Sequence, residues 1–252
     1  MDPDGPIPRH IGIIMDGNAR WARRQGRPVN LGHRAGVRTV KRIMLACEEI
    51  GVHHLSVYAF STENWARPRR EVSALMRLFE SSLRREIDEL DERGIRIIFS
   101  GRRGGLSQRM RRQILDAEER TAENRGGVLN VCLNYGGRME IVDAVRRLIE
   151  DRVPVLEVDE AALAARLYAP FLPDPDLLIR TAGEKRTSNF LLWQAAYAEL
   201  HVTDVLWPDF DGEDLGRAIG DYQGRVRRFG GRPEDPPTGS GSPARPAAGR
   251  PR

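Results

Sequence analysis

The sequence predicts a single α/β domain with a roughly six-stranded, mostly parallel sheet flanked by helices. Two observations carry this prediction. The chain has 252 residues, of which 40% are hydrophobic, enough to build one substantial core. Short apolar runs of strand length also alternate with longer segments of helical periodicity, and this alternation is typical of parallel sheets covered on both faces. The sequence shows no internal repeat, so a repeat architecture is not predicted.

Six apolar runs are the predicted strands. They comprise residues 10–15, 53–60, 95–99, 128–133, 176–179 and 202–206. Each run is four to eight residues long, which is the length of a buried strand and too short for most helices. The first run reads HIGIIM and the second HHLSVYAF, both rich in the β-branched and aromatic residues that favour strands.

Apolar residues three or four positions apart predict helices between these strands. The predicted helices are residues 36–50, 72–90, 110–117, 141–149, 190–199 and 213–228. Gly94 is a predicted helix stop, and Ser107 is a predicted helix cap. In the second helix the apolar stripe continues unusually far. Its members are Leu75, Met76, Phe79, Leu83 and Ile87.

The amino-acid composition excludes several classes of protein. All but two of the 40 basic residues are arginine, which reflects either codon preference or a need for planar groups that bind phosphate. Cys47 and Cys132 lie far apart, which excludes a disulfide scaffold and a structural zinc site. No apolar run is long enough to span a membrane, and the first residues have no signal-peptide core, so we expect a cytoplasmic protein.

The character of the chain changes at residue 231. Residues 231–252 consist mainly of Pro, Gly, Ser, Ala and scattered charge, which predicts a disordered tail after a catalytic domain at 1–230. The net charge is only +4, and the 36 acidic residues argue against a nucleic-acid partner.

The loop after the first predicted strand carries a polar constellation. It reads DGNARW, residues 16–21. Ligands of parallel sheets lie beyond the carboxyl ends of the strands. Here backbone N–H groups and Arg20 suit a phosphate group, and Asp16 suits a Mg²⁺ ion bridging its oxygens. An ordinary turn stabilised by Asp and Asn explains the same residues equally well. The loop is neither a Walker loop nor GxGxxG, which argues against nucleotide cofactors.

Two further loops follow predicted strands. Residues 60–68, FSTENWARP, bring Ser61, Glu63, Asn64 and Arg67 to the same edge, although Ser and Asn often only cap the next helix. Residues 179–189, IRTAGEKRTSN, contain two arginines, a glycine turn and Ser188. This third loop is either a charge-rich surface loop or a second phosphate site. Two phosphate sites in one domain indicate two phosphorylated substrates.

Several motifs in order resemble the cis-prenyltransferase family. They are HIGIIMDGNARWARRQGRP, LGHRAG, YAFSTENWARP, LNYGGR, LLIRTAGEKRTSNFLLWQAAYAEL and DVLWPDF, which extend over residues 10–230. The resemblance implies a homodimeric, Mg²⁺-dependent enzyme. It would join isopentenyl diphosphate to an allylic prenyl diphosphate, with an elongated apolar tunnel for the growing chain. The apolar stripe that begins at Leu75 would line this tunnel or belong to an ordinary core. The lipid product implies contact with a membrane surface.

The resemblance also implies a role for each matching residue. The allylic diphosphate would be bound by Gly17, Asn18, Ala19, Arg20, Trp21 and Arg67. Isopentenyl diphosphate would be bound by Arg180, Arg186 and Ser188. Mg²⁺ would be held by Asp16 and, across the dimer interface, by Glu199. The catalytic residues would be Asp16, Asn64, His33 and Ser61, the last three near the departing proton.

The chain departs from the family pattern at Val29, where an arginine four residues before His33 is usual. One phosphate contact is then lost or supplied by Arg27. Some relatives join two allylic diphosphates in irregular, head-to-middle fashion, and a weakened allylic site is compatible with that reaction. A third alternative, a non-catalytic accessory subunit, is disfavoured because Asp16, Arg20 and Arg180 are all present.

Overall fold

The centre of the fold is a six-stranded sheet, seen in a computed structural model that describes residues 1–225. The strands are His10–Ile14 (β1), His54–Ser61 (β2), Ile95–Ser100 (β3), Gly127–Tyr135 (β4), Leu177–Arg180 (β5) and Glu199–Val202 (β6). Their order is β3-β4-β2-β1-β5-β6, and all neighbouring strands of this sheet are parallel. The predicted fold class is confirmed, with a wholly rather than mostly parallel sheet.

Helices connect the strands and cover both faces of the sheet. They are Asn18–Arg24 (α1), Val29–Ile50 (α2), Arg69–Glu92 (α3), Gln108–Arg120 (α4), Gly137–Glu150 (α5), Glu160–Ala164 (α6) and Gly212–Gln223 (α7). Short 3-10 turns lie at Thr62–Ala66, Val155–Glu157 and Trp207–Asp209. Among residues 1–225, no helix combines the length and the apolar character needed to cross a bilayer.

The two faces of the sheet bury alternate residues of each strand. Ile11 and Ile13 pack into the main core together with α2 and α7, whereas Ile14 packs beside Phe190 and Leu191 on the opposite face. Both faces therefore require apolar side chains. Functional polar groups are thus expected at the edge of the sheet where the strands end, here called the carboxyl edge.

Two predicted helix boundaries are confirmed. The Ser107 hydroxyl accepts a hydrogen bond from the backbone N–H of Met110 at 3.0 Å, which caps α4. Gly94 follows α3 with φ of 69°, in the left-handed region where glycine is favoured. Both residues act locally, which explains why the sequence alone identifies them.

Three predicted elements are wrong in extent or type. Residues 190–198 form bends and turns rather than a helix, and Glu199 already belongs to β6; Leu191, with φ of 44°, is incompatible with a continuous α-helix. The last strand is β6, which ends at Val202 where the prediction had it begin. Helix α2 begins at Val29 rather than Gly36. Residues 226–228 of the predicted last helix, and the predicted tail at 231–252, lie outside the described residues.

A buried polar network crosses four neighbouring strands of the sheet, from β1 to β3. His10 on β1 contacts Ser56 on β2 through Nε2 (2.8 Å) and the carbonyl oxygen of Pro173 through Nδ1 (2.6 Å). Asn130 on β4 donates to the Ser56 hydroxyl at 3.0 Å, and Ser100 on β3 donates to Asn130 at 2.9 Å. Burial lowers the pKa of His10 to about 4, so His10 is neutral at pH 7.

This network predicts a specific loss of stability in acid. Because the pKa of His10 is lower in the folded than in the unfolded chain, its contribution is complete above the unfolded pKa and is lost as the pH falls towards 4. Between pH 7.5 and 5 we expect the unfolding free energy to fall by about 2 kcal/mol more in wild type than in His10→Gln. Urea unfolding at both pH values measures this, and equal losses would contradict the assignment.

Candidate active site

Three polar loops meet at the carboxyl edge of the sheet. They follow β1, β2 and β5, which are neighbours in the order β2-β1-β5. The register pairs Ile14 with Arg180, so β1 and β5 end at the same level. Ile13 pairs with Val57, and β2 continues past β1 to Ser61 at the same edge. The fold therefore brings together loops that are distant in sequence, such as those of Asp16 and Arg180, which are 164 residues apart.

Arg180 at the end of β5 is the centre of the first cluster. One guanidinium nitrogen donates to the Asp16 carboxylate (3.0 Å), and the other donates to the Ser188 hydroxyl and to the carbonyl oxygen of Arg186 (2.6 Å each). The Arg180 side chain is 4% exposed, and its Nε has no partner among the described residues. A buried cation with a spare donor, beside two open loops, is suited to bind an anionic ligand.

The turn after β1 is fixed by contacts to its backbone. The Asp16 carbonyl oxygen accepts from the Thr181 hydroxyl (2.7 Å) and from the backbone N–H of Trp207 (3.0 Å). The Asp16 carboxylate accepts from the Gly17 N–H at 2.7 Å. Gly17 has φ of 106°, which allows the sharp turn into α1. Thr181 is a positioning residue that sequence reasoning missed, although it follows Arg180 directly.

The rest of the first loop lies on α1. Arg20 lies one turn beyond Asp16, and their charged groups are 3.5 Å apart. Ala19 is the second residue of that helix. The Trp21 indole donates to Asp209 at 2.5 Å, and the Arg27 guanidinium lies 6.0 Å from the centre of its ring. Trp21 is thus anchored to the protein, and Arg27 lies against Trp21.

The second cluster surrounds the opening of a cavity. Asn18, His33, Asn64 and Arg67 all line this cavity, although they come from three different elements. Burial and the positive charge of Arg67 lower the pKa of His33, so its ring is neutral at pH 7. Within the described residues, His33 Nε2 and Asn18 Oδ1 are buried without a hydrogen-bond partner. Two orphaned polar atoms at one opening indicate a polar ligand there.

The loop after β2 combines a structural role with this position. The Asn64 side chain accepts from the backbone N–H of Ser61 at 3.1 Å, and the two residues form a capping box around the 3-10 turn. Arg67 pairs with Glu71 at 3.1 Å. Glu63 accepts from Asn189 at 2.9 Å, which ties this loop to the loop after β5. The capping interpretation of Ser61 and Asn64 is therefore correct, and Asn64 in addition faces the cavity.

The cavity has a volume of about 210 Å³ and lies between the sheet and helices α2 and α3. Its wall is mainly apolar. Leu75, Phe79 and Leu83 of the predicted stripe line it. Met76 and Ile87 do not; they pack against core clusters instead. The stripe thus serves both as cavity wall and as core.

Two predicted residues stand apart from this centre. Arg186 directs its guanidinium to Glu184 at 2.5 Å, while only its carbonyl oxygen contacts Arg180. Glu199 is the first residue of β6, opposite Leu177, and its carboxylate accepts from Arg225 at 2.8 Å. That position is three residues, or about 10 Å, before the level of Arg180. Within one chain, the structure does not bring Glu199 to Asp16.

Comparisons with known proteins show the family to which the chain belongs. Residues 14–230 match the family model described as "Putative undecaprenyl diphosphate synthase". An isoprenyl transferase of Clostridium perfringens is 50% identical over 229 residues, covering 89% of this chain and 90% of the relative. A ditrans,polycis-undecaprenyl-diphosphate synthase of Xanthomonas axonopodis, specific for (2E,6E)-farnesyl diphosphate, is 50% identical over 228 residues, which is 89% of each chain.

A solved structure is similar over nearly the same range. It is lavandulyl diphosphate synthase from Lavandula x intermedia in complex with dimethylallyl diphosphate. The TM-score is 0.85 at 36% identity, covering 89% of this chain and 98% of the other. Together with the family match and the half-identical relatives, this establishes that the chain belongs to the undecaprenyl diphosphate synthase family of prenyltransferase enzymes.

Proposed function

We propose that the chain condenses isopentenyl diphosphate with an allylic prenyl diphosphate and releases a longer Z-prenyl diphosphate. The observation that carries this proposal is a mainly apolar cavity lined by Arg67 and by Asn18, which lies two residues along the chain from Asp16; Asp16 in turn pairs with Arg20 and Arg180. Diphosphate groups require the cations, and a growing hydrocarbon chain requires the apolar wall. The names of the half-identical relatives support the same reaction.

We propose the residue roles that the resemblance implies. Asn18 and Arg67 line the cavity, and Arg20 lies on the same helix as Asn18, which supports assigning this side to the allylic substrate, whose hydrocarbon enters the cavity. The backbone of Gly17 and Ala19 and the anchored Trp21 shape the same side. We assign isopentenyl diphosphate to Arg180, Arg186 and Ser188. In this assignment Arg186 exchanges its contact with Glu184 for a substrate phosphate.

The donor set around Asp16 fits Mg²⁺. Magnesium is usually held by one or two carboxylates together with substrate phosphates and water. Asp16 is such a single carboxylate, and the described residues contain no cluster of three metal-ligating side chains that would hold an ion alone. Asp16 would hold the ion, and Glu199 of a second copy would complete the site. When bound, Mg²⁺ neutralises the charge of the leaving diphosphate.

The chain's own residues suffice for the remaining steps. Arg20 and Arg67 stabilise the diphosphate that leaves with the electron pair of the allylic C1–O bond. The alkene carbon of isopentenyl diphosphate bonds to C1, and a proton leaves C2. Neutral His33 and Asn64 line the cavity, with Ser61 in the same loop as Asn64; we assign acceptance of that proton to the His33 ring and orientation of the substrate to Asn64 and Ser61. No covalent intermediate with the enzyme is required.

Two observations support an alternative reaction. The lavandulyl diphosphate synthase structure is similar over almost the whole domain, and Val29 replaces the usual arginine at the start of α2. Arg27, the candidate replacement, lies against Trp21. Irregular head-to-middle joining of two allylic diphosphates, giving a branched or cyclic product, is therefore the alternative function.

Product analysis separates the two reactions. The purified enzyme and Mg²⁺ are incubated with dimethylallyl or farnesyl diphosphate, with and without isopentenyl diphosphate, and products are identified by mass spectrometry. Regular elongation predicts products that grow in five-carbon steps and only when isopentenyl diphosphate is present. Products from dimethylallyl diphosphate alone would instead establish the irregular reaction.

We propose a homodimer that works in the cytoplasm and touches membranes only through its lipid product. Helix α5 exposes Val142, Val145 and Ile149 along one stripe, which supports an apolar interface between copies. Cys47 and Cys132 are buried free thiols, as expected in a reducing compartment. No feature of the site calls for a nucleic-acid partner.

A further inference from the structure

The apolar cavity has one polar stretch in its wall. Lys41 on α2 and Glu86 on α3 both line it, and their charged groups are 3.1 Å apart. Ser82, one helical turn before Glu86, also lines the cavity; its buried hydroxyl has no partner among the described residues. From Leu75 to Glu86 the cavity wall follows α3 for about 16 Å. Leu90, one turn beyond Glu86, lines the cavity as well, so Lys41, Glu86 and Ser82 form a polar patch within a mainly apolar side wall.

The same ion pair also belongs to the protein surface. A second, open groove lies on the other side of Lys41 and Glu86, between α2 and the start of α7. Arg38, Glu49 and Gly212 line this groove but not the cavity. The Lys41–Glu86 pair is therefore a partition between an apolar cavity and a hydrated groove.

Neighbouring charges hold the partition in place. Lys41 also pairs with Glu89 on the next turn of α3, and Arg85 contacts Glu86 at 2.6 Å. Hydrogen bonding to Glu89 raises the pKa of Lys41, so the amine stays charged at pH 7. An apolar chain that passed between Lys41 and Glu86 would have to separate the pair and leave both charges against hydrocarbon, which is unfavourable.

We propose that the Lys41–Glu86 ion pair is a specificity-determining element that closes the side wall of the cavity and thereby limits the length of the prenyl chain. This inference rests on the proposed function, because it assigns the cavity to the growing hydrocarbon. An isoprenoid chain lengthens until its free end reaches the partition. Further elongation then requires opening the wall, so release becomes faster than the next condensation.

Product length tests the proposal. Lys41→Ala/Glu86→Ala opens the wall, and Lys41→Met/Glu86→Gln keeps its bulk while removing its charges. With farnesyl and isopentenyl diphosphates, we expect the first variant to shift the main product by at least one five-carbon unit and the second to shift it in the same direction. Arg38→Ala, which changes the groove alone, should give the wild-type distribution. Wild-type distributions from both active double variants would overturn the proposal.

A binding series makes the test independent of turnover. Saturated alkyl diphosphates cannot lose diphosphate to form an allylic cation, so they bind without reacting. As their length increases, each buried methylene is expected to tighten binding about fourfold. In wild type this gain should stop at a defined length, and in the double variants it should continue to longer chains. Identical limits in all variants would contradict the partition. Failure of wild type to elongate any starter would refute the proposed function instead, and the binding series would still decide the inference.

Discussion

Replacing Asp16 by asparagine is expected to lower turnover at least about 100-fold, because among residues 1–225 it is the carboxylate that pairs with both Arg20 and Arg180. Asparagine keeps the size of the side chain, and its single oxygen can still accept from the Gly17 N–H, although it loses the second oxygen that accepts from Arg180. The turn should therefore persist, and the thermal midpoint should change by only a few degrees. Steady-state kinetics at saturating Mg²⁺, together with a melting curve, measure both effects.

A matched control separates the metal role from general loss of charge. Asp151 also pairs with an arginine, Arg166, at 2.8 Å, but it follows the far end of α5. Asp151→Asn should leave turnover unchanged. An Asp16→Asn enzyme with activity within a few-fold of wild type would contradict the assigned role.

The same variant tests the proposal that two copies of the chain share a metal site. Neither Asp16→Asn nor Glu199→Gln should be active alone. Coexpressed chains that pair at random form mixed dimers in half of the cases, and each mixed dimer contains one intact site. We expect recovery to about a quarter of wild-type activity. No recovery from mixed dimers would show that Glu199 does not complete the site of a second copy.

The meeting of Asp16 and Arg180 could be predicted from the sequence although 164 residues separate them. Both follow apolar strands, and parallel strands end at one edge of a sheet. The rule needs only strand positions, which depend on local apolar runs. It identifies the edge and the loops, and the resemblance assigns the residues within them.

The missed elements depend on contacts that the local sequence does not contain. Residues 190–199 have apolar spacing suited to a helix. Their actual path is set by Asn189, whose backbone and side-chain oxygens accept from the N–H groups of Gly137 and Arg138 at the start of α5. Such distant hydrogen bonds override helical periodicity.

The early start of α2 was obscured by its glycines. A Cβ atom at Gly32 would lie 2.1 Å from the backbone oxygen of Asn18, and one at Gly36 would lie 2.1 Å from the Asn18 side chain. Close packing of α1 on α2 therefore requires residues that disfavour helices in isolation. The cavity could not be predicted from the sequence either. An apolar stripe such as Leu75, Phe79 and Leu83 has the same spacing whether it lines a cavity or belongs to a packed core.

Arg180→Lys should damage the enzyme almost as severely as Asp16→Asn, although it keeps the positive charge. The guanidinium of Arg180 spans three acceptors on two loops, namely the Asp16 carboxylate, the Ser188 hydroxyl and the Arg186 carbonyl oxygen. A lysine amine is a point charge and cannot reach all three in the same geometry. Each charge-assisted hydrogen bond that is lost costs about 1.5–3 kcal/mol.

The defect of Arg180→Lys should fall mainly on isopentenyl diphosphate, because this loop is the one assigned to it. We expect its KM to rise about 10- to 100-fold, while the KM of the allylic substrate changes much less. Arg166→Lys is the matched control, since Arg166 also bridges a carboxylate and a carbonyl oxygen, far from the site. An equal rise in both KM values would mean that Arg180 orders the whole edge rather than one substrate site. Unchanged kinetics would remove Arg180 from the site, since a buried cation that binds substrate cannot be exchanged without effect.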